Sequence, residues 1–139
     1  MDIVKYSDEF HGNMYTMYRE YFREFYEDNK HMEAIVQLIA QANGHEKKYY
    51  GRSMIIVVDK EVVGFVTCFV YEEVELKVCD VFVVKGHRGK GIASSAIKKI
   101  LEESGASYAS VAVYSGSKAS QRMLEKAGFT TVRTEMVLR

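Results

Sequence analysis

Residues 87–91 (HRGKG) combine glycines with basic side chains, between an apolar run and an amphipathic one. Gly89 and Gly91 lack a Cβ, so a bulky anion can approach the main chain, and Arg88 and Lys90 add positive charge beside it. If a helix begins around Gly89, its first amides have no intrahelical partners, and the helix dipole adds partial positive charge there. This chemistry predicts a site for a pyrophosphate or a similar anion.

Two other phosphate-binding patterns fit the same residues poorly. A Walker A loop requires Ser or Thr after its Gly-Lys pair, whereas Gly89-Lys90 is followed by Gly91. A dinucleotide fingerprint requires a glycine where this chain has Ser94. A nucleoside triphosphate or a dinucleotide is therefore disfavoured as the ligand. The remaining alternative is an ordinary helix start, in which the glycines allow tight packing and the basic side chains face solvent.

The elements that must position this turn follow from the spacing of the apolar residues. Helices are expected where apolar residues recur every three or four positions, and strands where short apolar runs lie between turn signals. The strand before the turn and its two predecessors should be antiparallel, and the next pair should be parallel with a right-handed crossover. The predicted strands are 3–5, 54–58, 62–71, one that ends in the glycine turn, 107–113 and 131–138; the predicted helices start at Ser7 or Asp8, cover 31–42, run from about Gly89 to Gly105, and cover 118–127.

Length and composition are typical of one compact domain over residues 1–139. The chain is 47% apolar and has no linker-like tract. Its 19 basic and 19 acidic side chains cancel, which disfavours nucleic acid and anionic membranes as partners. The N-terminus lacks a signal-peptide pattern and the apolar runs are strand-length, so we expect a soluble, cytoplasmic protein.

The two cysteines, Cys68 and Cys79, lie in apolar, strand-like segments. They have neither C-x-x-C spacing nor clustered histidines nearby, so no metal site is predicted. Both are expected to be reduced, packed thiols, although Cys79 is close to the expected site.

Two ordered motifs resemble landmarks of the GNAT N-acetyltransferase superfamily. Residues 88–93 (RGKGIA) fit the pattern R/Q-x-x-G-x-G/A, and residues 124–129 (LEKAGF) resemble a helix that ends in K-x-G-F. The resemblance implies the GNAT-like acyl-CoA N-acyltransferase fold, an α/β arrangement in which a central mixed sheet carries helices on both faces. It also implies an enzyme that moves an acetyl group from acetyl-CoA directly to a primary amine.

The resemblance assigns a role in binding coenzyme A to residues of the glycine turn, of the strand before it and of the loop before the last helix. Backbone amides from Gly89 to Ser94 would hold the pyrophosphate, and main-chain groups of Val81 and Val83 would pair with the pantetheine arm as with an added strand. The amide near Val83 would also polarise the thioester carbonyl. The full set is Val81, Val83, Arg88, Gly89, Lys90, Gly91, Ile92, Ala93, Ser94 and Ser117.

The catalytic groups are less completely matched. In the family an acidic pair often precedes the glycine turn; here Cys79 takes its first position and Asp80 its second, so Asp80 is the candidate base, with Glu75 in reserve. A surface or sheet-edge carboxylate is the alternative for Asp80. The family's general-acid tyrosine is replaced by Leu124, and Tyr114 is the substitute donor by proximity, unless it is only a packed or rim tyrosine.

These departures leave two functions open. One is an N-acetyltransferase acting on a small-molecule or peptide amine; the other is a non-catalytic acyl-CoA-binding sensor or interaction module that has lost its proton relay. The wide aromatic face of the first helix favours packing for most of its side chains, and substrate contact or a partner surface for the rest. Its acidic residues, with Glu72, Glu73 and Glu75, could attract a cationic amine, but exposed, solvated faces are the preferred interpretation. A homodimer is compatible with the sequence.

Overall fold

The structure is a computed structural model that describes residues 1–30, 50–136 and 138. The predicted helix at 31–42 lies outside the described residues. A short 3-10 turn at Asp8–Phe10 precedes the first helix, and another at Lys85–His87 follows the fourth strand. In chain order the elements are β1 (Asp2–Lys5), α1 (His11–Asp28), β2 (Ser53–Val58), β3 (Glu61–Tyr71), β4 (Glu75–Val83), α2 (Ile92–Ser104), β5 (Tyr108–Val111) and α3 (Lys118–Lys126).

The five strands form one mixed sheet in the order β1-β2-β3-β4-β5. The first four strands are antiparallel to their neighbours, and β5 is parallel to β4, as predicted. The hairpins turn at residues 59–60 and 72–73, all four of which have positive φ angles between 50° and 67°. Such positive angles at two consecutive positions are those of a type I′ turn, whose twist suits a tight hairpin. The first loop has two residues between its paired strand ends and the second has three.

The sheet has a hydrophobic core on each face, because successive residues of a strand point to opposite sides. Ile55, Phe65 and Phe82 pack with Met14 and Tyr18 of α1. The residues next to them in the strands, Ile56, Val66 and Val83, pack on the other face with α2 and α3, through Ala96, Ile97, Ile100 and Leu124. Helices on both faces of a mixed sheet confirm the predicted fold class.

Several elements differ from the sequence-based expectation: α1 begins at His11, and the strand predicted over 107–113 covers only Tyr108–Val111. Two further differences have a physical reason in the turn glycines and in exposure. The helix after the glycine turn begins at Ile92 rather than around Gly89, because Gly89 and Gly91 have left-handed φ angles that a helix cannot continue through. The predicted strand at 131–138 is wrong for residues 131–136 and 138, which form no strand. Val132 and Leu138 are 90% and 98% exposed, so the alternating pattern has no sheet face to bury against.

Among the described residues, no helix is both long enough and apolar enough to span a membrane.

Candidate active site

A cleft opens where β4 and β5 separate. The β4–β5 ladder joins residues 75–78 to residues 108–111 only, whereas β4 continues to Val83. Beyond Val78, the described residues give β4 a partner on its β3 side alone. The cleft has a volume of about 650 Å³, and the exposed edge of β4 lies along it with Cys79, Val81 and Val83. An extended ligand with amide groups could complete this edge as an added strand.

The glycine turn closes one end of the cleft. Gly89 and Gly91 have φ angles of 77° and 75°, and apart from their immediate chain neighbours no heavy atom lies within 4 Å of where a Cβ would stand at either residue. Gly91 is the N-cap of α2, and no side chain caps the first amides of that helix. Gly89, Gly91, Ile92, Ala93 and Ser94 all line the cleft. The arrangement has the uncapped amides and the open space that an anion needs.

Arg88 links the glycine turn to β4 and to α1. Its Nε donates to the carbonyl oxygen of Val83 at 2.6 Å, and its Nη2 donates to Glu24 of α1 at 3.0 Å. The guanidinium also lies 5.2 Å from the ring centroid of Phe82. Arg88 therefore holds the turn against both β4 and α1, and it occupies the Val83 carbonyl. Lys90, the other predicted basic residue, is exposed and does not line the cleft.

A β-bulge in β4 determines which way Asp80 points. Thr67 pairs with Asp80 and Cys68 pairs with Val78, so Cys79 is an additional residue in β4. Before the bulge, Val78 faces α2 and α3; with strict alternation Asp80 would face the same side. The extra residue reverses the alternation and turns Asp80 toward α1. It also leaves Cys79 exposed in the cleft, so the expectation of a packed thiol is wrong for Cys79.

The Asp80 carboxylate is held by two tyrosines of α1. Tyr21 donates its hydroxyl proton to Oδ1 at 2.7 Å, and Tyr18 donates to Oδ2 at 3.0 Å. Thr67 lies 2.7 Å from the Tyr18 hydroxyl and 2.9 Å from Ser53, which extends the network beneath α1. Burial raises the pKa of Asp80, and the two tyrosine hydrogen bonds oppose that shift.

Sequence reasoning did not identify Tyr18 and Tyr21 as hydrogen-bond partners of Asp80, nor Thr67 as a partner of Tyr18. The sequence signal that could have found this network is the tyrosines of the first helix, because a buried tyrosine hydroxyl usually has a hydrogen-bond partner. The reserve base, Glu75, is at the far end of β4 opposite Tyr71, where it accepts a hydrogen bond from Ser110.

Tyr114 and Leu124 both line the cleft. The Tyr114 ring stands edge-on to Phe25 of α1, with 5.0 Å between centroids, and its pKa is raised by burial and then by Glu135. Leu124 is 5% exposed and packs with α2, so the described structure has a hydrocarbon where the resemblance expects a tyrosine hydroxyl.

Asn29 joins α1 to the loop before α3. Its fully buried side chain accepts from the Gly116 amide at 3.0 Å and donates to the Ser117 hydroxyl at 3.1 Å. A Cβ at Gly116 would stand 2.1 Å from the Asp28 carbonyl oxygen, so this close approach requires glycine. Ser117, a predicted CoA contact, lines the cleft with its hydroxyl oxygen already accepting from Asn29.

The described residues contain no group of three or more His, Cys, Asp or Glu side chains arranged to hold a metal ion.

Comparison with known proteins gives one family and one fold. The acetyltransferase (GNAT) family model matches residues 13–129. No curated protein sequence matches the chain. A putative acetyltransferase from Bacillus subtilis is similar in structure over 99% of this chain and 97% of its own, with a TM-score of 0.71 and 16% identity.

Two further structures carry more specific descriptions. A ribosomal-protein-alanine N-acetyltransferase from Brucella melitensis matches over 100% of this chain and 98% of its own, with a TM-score of 0.66 and 19% identity. An aminoglycoside N-acetyltransferase in complex with CoA matches over 63% of this chain and 64% of its own, with a TM-score of 0.51 and 17% identity. At these identities the likeness is one of fold.

Proposed function

Because the chain belongs to the GNAT acetyltransferase family, we propose that it transfers an acetyl group from acetyl-CoA directly to a primary amine. The observation that carries this proposal is the glycine turn that opens into a cleft beside an unpaired strand edge. The turn suits the pyrophosphate, and the edge suits the amide-bearing pantetheine arm. An anion site without the edge would be compatible with many other phosphate ligands.

The residues around the cleft fit the cofactor. The uncapped amides of Gly91, Ile92 and Ala93 would bind the pyrophosphate oxygens, with Arg88 keeping the turn in shape. Val81 and the amide of Val83 would bind the pantetheine arm, and the Val83 amide would polarise the thioester carbonyl. Bound acetyl-CoA supplies an acetyl group that is activated as a thioester.

Asp80 is the proposed base. An alkylammonium must lose a proton before its nitrogen can attack, and a carboxylate with a raised pKa holds that proton better than an ordinary one does. Tyr114, which lines the cleft, is the proposed donor to the departing sulfur. A CoA thiolate needs little help in leaving, because a reference thiol pKa of about 8.5 already makes it a stable anion.

The α1 wall of the cleft favours a cationic acceptor. Tyr21, Phe25 and Asp28 line it from one side of the helix, and Tyr114 faces Phe25. Glu24 also lines the cleft, but its carboxylate is paired with Arg88, so Asp28 is the carboxylate without that constraint. Aromatic faces and a carboxylate together attract an ammonium group.

The test is amine-dependent release of free thiol from acetyl-CoA by the purified chain. The acceptor panel would contain a peptide with an N-terminal alanine, neamine, spermidine and lysine amide, since the first two represent the acceptors of structural neighbours. Thiol release with at least one amine, together with a mass increase of one acetyl group on that amine, is the expected result. Tight CoA binding without release for any amine would instead favour the non-catalytic acyl-CoA-binding module.

A further inference from the structure

We propose that Tyr21 accepts a proton from the acceptor amine while its own hydroxyl proton passes to Asp80. The inference rests on the proposed acetyltransferase function and deepens it, because it assigns the contact between the amine and the base. Nothing in the two sequence motifs points to α1 as a source of catalytic groups.

Among the described residues, one member of the Asp80 hydrogen-bond network lines the cleft. Asp80, Tyr18, Thr67 and Ser53 form a connected polar network, but none of them lines the cleft. Tyr21 is bonded to that network and does line the cleft. Among the described residues, Tyr21 is therefore the member of the network that connects Asp80 to the cleft.

The Tyr21 hydroxyl can accept a hydrogen bond while it donates one to Asp80. Each Asp80 oxygen accepts one tyrosine hydroxyl, and Asp80 itself does not line the cleft, so Tyr21 is the described member of this network that an amine in the cleft can contact. An ionised carboxylate cannot donate, so the Tyr21 hydroxyl must donate to Asp80. A hydroxyl has one proton and two lone pairs, which leaves the Tyr21 oxygen free to accept an N–H from the cleft.

Neighbouring aromatic rings hold the Tyr21 ring in place. It stands edge-on to Phe22 at 5.2 Å and to Phe65 at 6.1 Å, and it stacks with Phe25 at 6.5 Å between centroids. These contacts fix the hydroxyl with respect to both Asp80 and the cleft. A fixed donor and acceptor geometry is what a proton relay requires.

The proton balance closes without another reagent. An N–H bond of the ammonium breaks, an O–H bond forms on Tyr21, the original Tyr21 O–H breaks, and an O–H forms on Asp80. Tyr21 ends unchanged and the amine is neutral. When the C–N bond forms and the C–S bond breaks, Tyr114 gives its hydroxyl proton to the departing sulfur and takes up the second N–H proton, which yields an amide and free CoA thiol. Asp80 then returns its proton to solvent.

The test compares Tyr21→Phe with Tyr15→Phe, a control on the same helix whose side chain is exposed and lies outside the network. With the best amine of the panel, Tyr21→Phe should lower kcat by about 100-fold, the lower end of the range for general acid–base groups, and leave the affinity for CoA within about twofold. Tyr15→Phe should leave both unchanged. Because Phe keeps the ring contacts, the variant should fold, which circular dichroism checks.

One further readout checks the contact between Tyr21 and Asp80, and a second separates a relay from a structural role. Carbon NMR titration of the Asp80 carboxyl should give a higher pKa in Tyr21→Phe, because a hydrogen bond that lowers this pKa has been removed. Hydroxylamine is neutral near pH 7 and needs no prior deprotonation, so its acetylation should be reduced far less than that of an alkylammonium.

Three results would overturn the relay. They are kcat for Tyr21→Phe within about threefold of wild type, an unchanged Asp80 titration, or equal losses with hydroxylamine and with the alkylammonium. Failure of the proposed function looks different: the wild type would then bind CoA and release no thiol with any amine, and the relay would fall with it.

Discussion

Replacing Gly91 by glutamate tests the cofactor assignment at the centre of the glycine turn. Gly91 is the N-cap of α2 at a φ angle of 75°, and space is open for at least 4 Å around a Cβ built there. The new side chain would therefore fit without a clash, and its carboxylate would stand where we expect the CoA pyrophosphate. The fold should survive while CoA binding is lost.

The size of the effect follows from two separate contributions. A residue with a Cβ in the left-handed conformation costs about 1–2 kcal/mol of folding free energy. Each carboxylate–phosphate pair at a separation of about 4 Å costs about 1 kcal/mol in water and about 4 kcal/mol near a protein surface. Since about 1.4 kcal/mol is a factor of ten in affinity, one pair in water already weakens binding about fivefold. Because the pyrophosphate has two phosphate groups, Gly91→Glu should weaken CoA binding by at least about 10-fold.

Two control variants separate these contributions. Gly91→Ala has the same backbone strain without the charge, and Gly86→Glu adds the same charge at a nearby exposed glycine outside the cleft. Isothermal titration calorimetry with CoA should show a large loss of affinity for Gly91→Glu only. The melting temperature should fall by similar amounts in both Gly91 variants. The site assignment would be refuted if Gly91→Glu bound CoA within about twofold of wild type, or if Gly86→Glu lost as much affinity.

The remaining predictions concern Asp80 and the loop before α3. Asp80→Asn should lower kcat far more than CoA affinity, because it removes the base and leaves the glycine turn intact; equal losses would argue against a catalytic role. In wild type, the rate should fall as the pH drops through an Asp80 pKa above its usual value of about 3.9, which a pH–rate profile measures. The same raised pKa makes the ionised carboxylate costly to the fold, so wild-type stability relative to Asp80→Asn should decrease as the pH rises through that pKa; a pH-independent difference in thermal melts would contradict this. Gly116→Ala should cost about 1–3 kcal/mol of unfolding free energy, because its Cβ would displace Asp28 and Asn29 and leave the buried Asn29 amide unsatisfied; an unchanged melting temperature would contradict the contact.

Much of the fold could be predicted because local spacing and turn chemistry agree. Apolar periodicity located all the described helices to within a few residues, and the hairpins at 59–60 and 72–73 needed only short turns between apolar runs. The alternating segment 131–138 shows the limit of this reasoning. Its pattern is that of a strand, but a strand exists only when another strand pairs with it, and residues 131–136 have none.

The candidate site divides in the same way. The sequence by itself determined the prediction of an anion site at the glycine turn, because its glycines, its positive charge and the apolar pattern of the following helix are read directly from the chain. Only the tertiary structure decided the rest. The bulge at Cys79 reverses the direction of Asp80, and that reversal brings Asp80 to Tyr21, 59 positions earlier in the chain. Local backbone geometry depends on neighbours in sequence, whereas a hydrogen bond between distant side chains depends on strand register and helix packing, which no short motif encodes.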